Sequence, residues 1–459
     1  MNRLPPEVLT SCAAFVSDTD PRPIVSLTHV CRYWCRSISS DPRSWASIST
    51  GWKRLAPLCL KRAGAFPLSV DITIPEIKGD LSFLQELLPH VARVSHLSLT
   101  GYSSVEAVAG DLPGFFTSPM PILTSLELHQ TAEPTELFPP RIAPVPPVFQ
   151  NVSKLESIRL TRTPLYSTLF GITSLVELKL VGYMNTFHFG TFIGFLASNQ
   201  NLEIVNLDVK FVEGSVRVAP ARTTSLARLR HLSITCAEPT DARGLLSCIS
   251  LPHGTWLEVS CPRSTSLDSC LPSPPTPIQK VLAPITAMRF QASPREIHVF
   301  GGNGGCFSFR CPRTQFSHNP ELYLFPTASI REFQVDVDPW ALTPALLASL
   351  LTRLPALETL RVANAASWAP GTFDSLARQP PLCPSLKTIA FFNCGFNLQA
   401  VKDFGGAVAK RKDSAAAWLY QVVIISNTRA LPDYPMIHEL RQHVPCVNVG
   451  VGDGLPDLS

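Results

Sequence analysis

Few residues in this chain have the types and spacings from which a catalytic or metal site is built. The glycine-rich run Gly301–Gly305 has neither a trailing Lys-Ser/Thr pair nor a strand-to-helix context, so it predicts a turn and not a phosphate-binding loop. The Gly-x-Ser-x-Gly elbow, the His-Glu-x-x-His helix and the Cys-x-x-Cys pair are all missing from the sequence. We therefore predict a protein that is not an enzyme and that has no catalytic residue and no cofactor.

Two groups of cysteines have a faint likeness to metal sites. Cys31 and Cys35 are one helical turn apart near His29, but packing in a helix core is the favoured interpretation for such small apolar residues. Four more lie in an irregular region with spacings that match no zinc site. They are Cys261, Cys270, Cys306 and Cys311. The sequence predicts no metal site, and an odd count of 13 cysteines favours a reducing compartment.

Charge and hydropathy narrow the range of partners. The net charge of +4 is spread along the chain, which argues against nucleic acid as a main ligand. The best apolar run, Val422–Ile425, has only strand length, and Pro5 and Glu7 interrupt any signal peptide, so no membrane partner is expected. The run Lys410–Lys412 favours a solvated helix end over a nuclear address. We expect a soluble cytoplasmic and/or nuclear protein.

The N-terminal residues carry two apolar stripes at helical spacing. The first follows Pro5 and Pro6, which fit the first turn of a helix because its N–H groups have no intrahelical partner. Its members are Val8, Leu9, Cys12, Phe15 and Val16. The second stripe consists of Leu27, Val30, Cys31, Trp34 and Ile38. With Trp45 and Ile48, these stripes offer more apolar surface than so short a segment can bury alone.

This segment resembles an F-box, the helical module by which substrate receptors dock on the adaptor of a cullin-type ubiquitin ligase. The resemblance rests on Leu4-Pro5-Pro6-Glu7-Val8-Leu9, His29-Val30-Cys31-Arg32-Tyr33-Trp34 and Asp41-Pro42-Arg43-Ser44-Trp45. The second and third phrases are typical of F-box proteins of mushroom-forming (basidiomycete) fungi. The resemblance implies a Skp-type adaptor as partner and, through it, a cullin. It implies that the adaptor contacts Leu4, Pro5, Val8, Leu9, Leu27, Val30, Cys31, Trp34 and Trp45.

The rest of the chain repeats a motif of the form aliphatic-x-x-aliphatic-x-aliphatic. Its central residues are Leu97, Leu126, Ile158, Leu178, Val205, Leu232, Met288, Phe333, Leu360 and Ile389. The first six are separated by 29, 32, 20, 27 and 27 residues and the last three by 27 and 29, mostly in or near the leucine-rich-repeat range. Each motif predicts a strand with inward aliphatics, and one such unit cannot bury its own face. The strands are therefore expected to stack into a parallel sheet.

Other segments complete this interpretation. Helical returns are predicted at 192–197, 242–249 and 342–354, and Trp256–Val259 is the predicted strand of an irregular, Pro-rich section at about 252–329. Strands at Tyr420–Ile425 and Val447–Val451, with a helix between them, predict a terminal cap. Asn364 and Asn393 approximate the asparagine that follows the strand in leucine-rich repeats.

The sequence thus predicts an α/β fold with two domains. An F-box at 1–48 is followed at 52–459 by a leucine-rich-repeat-like solenoid, with a parallel sheet and mixed helical and irregular returns. Residues between the inward aliphatics are expected to line an open face that binds an unknown target protein. They are Glu127, Arg159, Lys179, Asn206, Ser233, Gln334 and Arg361. Their mixed charges predict no simple acidic or basic ligand.

Three functions are compatible with this pattern. The main hypothesis is the substrate-recognition subunit of an SCF-type (cullin–RING) ubiquitin ligase, in which the F-box docks the adaptor and the repeats hold a target. The second is a repeat scaffold without a ligase role, whose N-terminal helices cap the first repeat. The third is a solenoid enzyme with paired carboxylates, and the isolated positions of Glu127 and Glu177 argue against it.

Overall fold

The computed structural model contains two compact units, Met1–Val209 and Lys210–Ser459, and each is described by itself. The structure describes residues 4–17, 22–74, 82–102, 113–130, 149, 151–163, 165, 167–182, 186–212, 223–263, 267–272, 278–292, 296–302, 306–312, 327–336, 344–365, 368, 371–377, 382–395, 398–412, 418–426 and 434–451. Residues 303–305 of the predicted turn at Gly301–Gly305 lie outside them, while Gly301 and Gly302 end a strand. Residues 264–266 and 273–277 of the predicted Pro-rich segment at 262–284 also lie outside them.

The first unit begins with helices and continues into strands. The helices are α1 (Pro6–Ser17), α2 (Arg22–Thr28), α3 (Arg32–Ser40), α4 (Ala56–Ala63), α5 (Ser82–Leu87), α6 (Pro113–Thr117) and α7 (Phe189–Ser198). Short 3-10 turns lie at Pro42–Trp45, Thr50–Trp52, Leu88–Arg93 and Ser167–Gly171. The sheet strands are β1 (Ser47–Ser49), β2 (Leu68–Thr73), β3 (Val94–Tyr102), β4 (Ser125–Gln130), β5 (Ser157–Thr161), β6 (Glu177–Val181) and β7 (Ile204–Asp208). A two-residue strand lies at Thr186–Phe187.

The sheet of the first unit is parallel and follows chain order from β1 to β7. The predicted central aliphatics are in register across it: Leu126 pairs with Ile158, Ile158 with Leu178, and Leu178 with Val205. All of these side chains are buried. The period-two burial follows because alternate residues of a strand point to opposite faces, and this confirms the predicted parallel stacking.

The second unit continues the strand and return pattern. Its helices are α8 (Pro239–Cys248), α9 (Leu267–Cys270), α10 (Gln279–Leu282), α11 (Pro344–Arg353), α12 (Leu398–Lys412) and α13 (Tyr434–His443), with 3-10 turns at Thr327–Ser329 and Asp374–Ala377. Its sheet strands are β8 (His231–Thr235), β9 (Trp256–Ser260), β10 (Ala287–Ala292), β11 (Glu296–Gly302), β12 (Cys306–Pro312), β13 (Glu332–Asp336), β14 (Thr359–Ala363), β15 (Thr388–Phe392), β16 (Gln421–Ser426) and β17 (Cys446–Val451). Short strands lie at Lys210–Phe211, Thr224–Ser225 and Ile249–Ser250.

The sheet of the second unit is mostly parallel, with one reversal. Its order is β8, β9, β12, β11, β10, β13, β14, β15, β16 and β17. Strand β11 is antiparallel to both β10 and β12. The links 293–295 and 303–305 explain this, since parallel neighbours need a crossover of roughly a dozen residues or more. The prediction of a wholly parallel sheet was therefore wrong at β11, while the predicted strand at Trp256 is confirmed as β9.

The predicted helical returns and the predicted end of the chain are also confirmed. Helices α7, α8 and α11 lie at the three predicted return segments within three residues of the predicted ends, and β16, α13 and β17 match the predicted terminal pair of strands with a helix between them. Strand registers from β13 to β17 align the central aliphatics Phe333, Leu360 and Ile389 with Val422 and Val447. Each unit therefore has strands stacked as in a repeat solenoid, with helical or irregular returns between them.

The second apolar stripe at the N-terminus does not form one helix. It is divided between α2 and α3, and the N–H groups of His29 and Val30 donate to carbonyls three residues earlier, at 3.0 and 3.3 Å. The hydroxyl of Thr28 donates to the carbonyl of Val25 at 2.7 Å, which offers the backbone an alternative to continuing the helix. Cys31 is extended, with φ −162°. The break turns Val30 and Cys31 outwards, where both are exposed.

The sheet begins inside the predicted first domain. Strand β1 pairs with β2 in parallel, Ile48 opposite Val70, and both side chains are buried. The N–H of Ser69 adds a bond to the carbonyl of Ala46 at 3.0 Å. The helical segment and the first strands are consequently continuous within one compact unit.

Candidate functional site

Helix α1 has one buried side and one exposed apolar side. Leu9 and Ala13 are buried. Val8 and Cys12 are exposed, as is Phe15, which has 78% of its surface open to solvent. These three residues follow one another at four- and three-residue spacing, so they form a stripe along the helix. Part of the predicted apolar stripe thus faces solvent.

The connection between α2 and α3 adds to this apolar surface. Val30 and Tyr33 are exposed, and so is Leu4 ahead of α1. The hydroxyl of Tyr33 donates to the carbonyl of Leu4 at 2.9 Å, which ties the start of α3 to the start of α1. We call this surface the N-terminal patch. It comprises Leu4, Val8, Cys12, Phe15, Val30, Cys31 and Tyr33.

The other predicted adaptor-contacting residues lie deeper. Trp45 is only 2% exposed, its indole N–H donates to the carbonyl of Ile38 at 2.9 Å, and the guanidinium of Arg62 lies 4.2 Å from its ring centroid. Leu9 is buried as well, Leu27 and Trp34 are half-buried, and Pro5 is exposed. Trp45 and Leu9 therefore form the interior that holds the N-terminal patch in place.

In the first unit, the predicted face residues form a row. Glu127, Arg159, Lys179 and Asn206 are consecutive register partners on β4 to β7. The guanidinium of Arg159 contacts Glu127 at 3.0 Å and Glu177 at 3.2 Å, and the ammonium of Lys179 contacts Glu177 at 2.6 Å. We call the four charged residues of these ion pairs, Glu127, Arg159, Glu177 and Lys179, the face network. All are half-buried, as expected for side chains that support one another on a sheet surface.

The electrostatics of the face network oppose acid catalysis. Burial alone raises the pKa of Glu177, but hydrogen bonds from Lys179, Ser157 and Arg159 outweigh it and hold the pKa below its usual value. A general acid needs the opposite shift, towards neutral pH. The two carboxylates are also bridged by one guanidinium, which leaves neither free to exchange a proton with a substrate. The geometry gives no support to the solenoid-enzyme hypothesis.

In the second unit, two predicted face residues are not open to solvent. Gln334 is 1% exposed and Ser233 is also buried, although strand alternation places both opposite the inward aliphatics. Arg361 is half-buried and contacts Glu332 at 3.4 Å. The expectation that these positions form an open surface was therefore wrong for Ser233 and Gln334. Alternation fixes the face of a side chain but not what covers it.

The same face carries features that the prediction left out. Trp256 and Glu258 on β9 have the face parity of Ser233, and the ring of Trp256 is stacked on that of His231. Towards the C-terminus, the face is apolar instead, with Ala363, Ala390 and Phe392 buried against Val423 and Ile425. The alternation rule applied to every strand of the sheet, and not only to the central residue of each motif, would have found both groups.

The structure places Cys31 differently from the predicted packing in a helix core. Cys31 is exposed at the start of α3 and not part of a helix core. Within the described part of the chain, no three His, Cys, Asp or Glu residues are grouped to hold a metal ion, and no helix is long and apolar enough to cross a bilayer. The side chains of Cys306 and Cys311 lie outside the described residues.

The basic run at the end of α12 is not uniformly solvated. Arg411 is buried and its guanidinium donates to the carbonyl of Cys383, while the ammonium of Lys412 lies 4.7 Å from the ring centroid of Trp418. Burial lowers the pKa of Arg411 from its ordinary high value. The prediction of a solvated helix end was wrong for this residue.

Comparison with known proteins gives only a remote likeness. No family model and no curated protein matches the sequence. Among solved structures, the chain is similar to the leucine-rich repeat-containing protein LegL7 from Legionella pneumophila, at 12% identity and a TM-score of 0.25, over 65% of this chain and 84% of that one. A likeness of this degree carries no argument about function, which must come from the surfaces described above.

Proposed function

We propose that this chain is a protein-interaction scaffold that serves as the substrate receptor of a cullin-type ubiquitin ligase. The observation that carries the proposal is the N-terminal patch, an exposed apolar surface attached to a stack of parallel strands. The patch docks a Skp-type adaptor, and the strand face holds a target protein. The resemblance of the N-terminal segment to an F-box supplies the identity of the adaptor.

The N-terminal patch has the properties of a docking surface. Single exposed apolar residues are ordinary on proteins, but a contiguous group of large ones is typical of an interaction site. Phe15, Val8 and Tyr33 are large, exposed residues of the N-terminal patch. Beneath them, the anchored Trp45 fixes the helices, so the patch needs little ordering on binding. Aromatic and aliphatic anchors of this kind supply most of the energy of protein interfaces.

The contribution to ubiquitin transfer is then proximity. The chain needs no reactive residue, since holding a target beside a charged conjugating enzyme raises the effective concentration of the acceptor lysine. The face network suits this role because it presents both signs of charge on a fixed frame. Charged pairs at the margin of an interface favour specificity and association rate more than affinity.

Binding of the purified chain to the adaptor tests the proposal. Val8→Asp and Phe15→Asp place a charge in the N-terminal patch without touching the interior, whereas Leu9→Asp would bury one and unfold the helices. Phe66→Asp is the matched control, because Phe66 is 38% exposed and lies outside the patch. We expect both patch variants to lose binding by at least about tenfold and the control to retain it. A wild-type chain that does not bind the adaptor would refute the ligase role.

One observation favours the second candidate, a scaffold whose N-terminal helices act only as a cap. Strand β1 is part of the sheet and Ala46 hydrogen-bonds to Ser69, so the segment protects the edge of the first repeat. Deleting residues 1–45 should lower the stability under either candidate, because Leu9 and Trp45 are buried. The variant Phe15→Asp separates the two: a cap alone predicts that its binding to every partner is unchanged, whereas the receptor predicts that it loses the adaptor while keeping its stability.

A further inference from the structure

An aromatic ring and a carboxylate lie side by side on the strand face of the second unit. Trp256, the first residue of β9, is 46% exposed. Its ring is stacked on His231 of β8, with centroids 6.4 Å apart and planes within 1°. Glu258 is two residues further along the same strand, so it projects from the same face about 7 Å away. Both residues lie on β9, which is hydrogen-bonded to a strand on each side, and not on a loop.

The carboxylate of Glu258 lacks the partner that other acids of this face have. Glu332 and Asp336 are each within ion-pair distance of an arginine. Among the residues that the structure describes, no cation is that close to Glu258, which accepts only the hydroxyl of Ser233 at 3.3 Å. Its register partners on the two neighbouring strands are Ser233 and Ser308, both small and uncharged.

We propose that Trp256 and Glu258 form a subsite for an arginine or lysine side chain of the protein held on this face. This inference rests on the proposed target-binding role of the strands and names the chemistry that they select. A cation above an indole ring is attracted by its π-electrons, and Trp is the strongest aromatic in this respect. A carboxylate two residues away completes the recognition with charge-assisted hydrogen bonds. Arginine fits best, because its planar guanidinium can stack on the ring while donating to both carboxylate oxygens.

Other occupants fit the pair less well. An acidic side chain would be repelled by Glu258. An apolar side chain over Trp256 would remove water from the carboxylate without replacing its hydrogen bonds, which is unfavourable for a charged group. A purely internal role for Trp256, stacking on His231, would leave ligand selection independent of Glu258. These alternatives make different predictions for the same variants.

Selection of peptides from a random heptapeptide display library by the immobilised full chain distinguishes them. The wild type, Glu258→Gln and Trp256→Ala are compared, with Trp418→Ala as the control because Trp418 is 48% exposed in the same unit. We expect the wild type and the control to enrich peptides with a common arginine or lysine. That residue should be lost from the peptides selected by Glu258→Gln and Trp256→Ala.

Affinity measurements with the top-ranked peptide then quantify the effect. Replacing its basic residue by glutamine should weaken binding to the wild type about tenfold and weaken binding to Glu258→Gln clearly less, because only the contact with Trp256 is then lost. Trp256→Phe retains an aromatic ring and should bind the peptide within a few-fold of the wild-type affinity. This variant keeps the test informative if Trp256→Ala does not fold. Enrichment of no basic residue by the wild type, or equal enrichment by Glu258→Gln, would overturn the inference. Neither result depends on the adaptor, so the two proposals fail separately.

Discussion

The side-chain amide of Asn393 donates to the side-chain oxygen of Asn364 at 3.0 Å, and both residues have a positive φ, 50° and 59°. Each follows the last residue of a parallel strand, and its N–H donates to the next strand, Asn364 to Phe392 and Asn393 to Ile425. Asn364 in turn donates to Asp336 at 2.6 Å. Asparagine tolerates this backbone conformation better than most residues and can bond to its neighbours, which explains its place after the strand.

Replacing Asn364 should therefore be costly in two separable ways. Asn364→Ala removes the side-chain hydrogen bonds to Asp336 and Asn393. It also leaves an alanine in the left-handed region, where a residue without a polar side chain is strained. We expect a loss of ~2–4 kcal/mol in the free energy of unfolding, measured by urea denaturation. Asn364→Gly relieves the backbone and should lose only about half as much. Equal losses for the two variants would show that the backbone conformation contributes nothing.

Trp45 supplies a second test, directed at the interior beneath the N-terminal patch. Trp45→Phe keeps an apolar ring but removes the N–H that donates to Ile38 and part of the contact with Arg62, so we expect a loss of ~1–2 kcal/mol. Trp45→Ala leaves a cavity and should cost ~3–5 kcal/mol. Thermal or urea unfolding of the full chain measures both. An unchanged stability in Trp45→Ala would contradict the buried position of Trp45 and indicate instead that it is available to contact the adaptor, as the sequence predicted.

Thiol labelling tests the burial of the cysteines. Cys12 and Cys31 are exposed, whereas Cys59 and Cys383 are buried. Burial raises the pKa of Cys59 to about 11 and that of Cys383 to about 12, with the nearby Arg62 and Arg411 acting weakly in the opposite direction.

Since the thiolate is the reactive form, iodoacetamide at pH 7.5 should modify the exposed pair first, as read by peptide mass spectrometry. The buried pair should react only in urea. Native modification of Cys383 at the rate of Cys31 would contradict this arrangement.

The strands of both units could be predicted from the sequence because the relevant force is local and periodic. Burial of alternate aliphatics, as at Leu126 and Leu128, is dictated by the geometry of one strand, and the repeat spacing then brings the strands together. The stripe of α1 was equally legible, yet the sequence did not reveal that Val8 and Phe15 lie on its exposed side. Helical spacing defines a face, not the neighbour that covers it.

The failures share a non-local cause. The burial of Gln334 depends on what lies across the sheet, and that of Arg411 on the packing of α12 near Cys383. Strand β11 is reversed because the two links that join it to its neighbours have only three residues each, and the spacing of the repeat motifs does not reveal these links. The candidate subsite at Trp256 was missed because the search was confined to the central residue of each motif. Its partner Glu258 occupies such a position, but in a strand assigned to an irregular section.

The face network gives a prediction about pH. The pKa of Glu177 is lowered in the folded state below its ordinary value of 4.5. The unfolded chain therefore binds a proton at this group first as the pH falls. Its stabilising contribution is complete above about pH 5 to 6 and is lost as the pH falls through the lowered pKa.

Glu177→Gln removes this contribution at every pH. We expect it to reduce the free energy of unfolding by about 1 kcal/mol at pH 7, a modest figure because the partners are partly solvated and screened. The difference from wild type should shrink as the pH is lowered to 3, where the wild-type carboxylate is also being neutralised. Glu86→Gln is the matched control, since Glu86 is exposed and the structure describes no ion pair for it. A Glu177→Gln difference that stays constant or grows towards low pH would show that the ion pairs with Arg159 and Lys179 do not stabilise the fold.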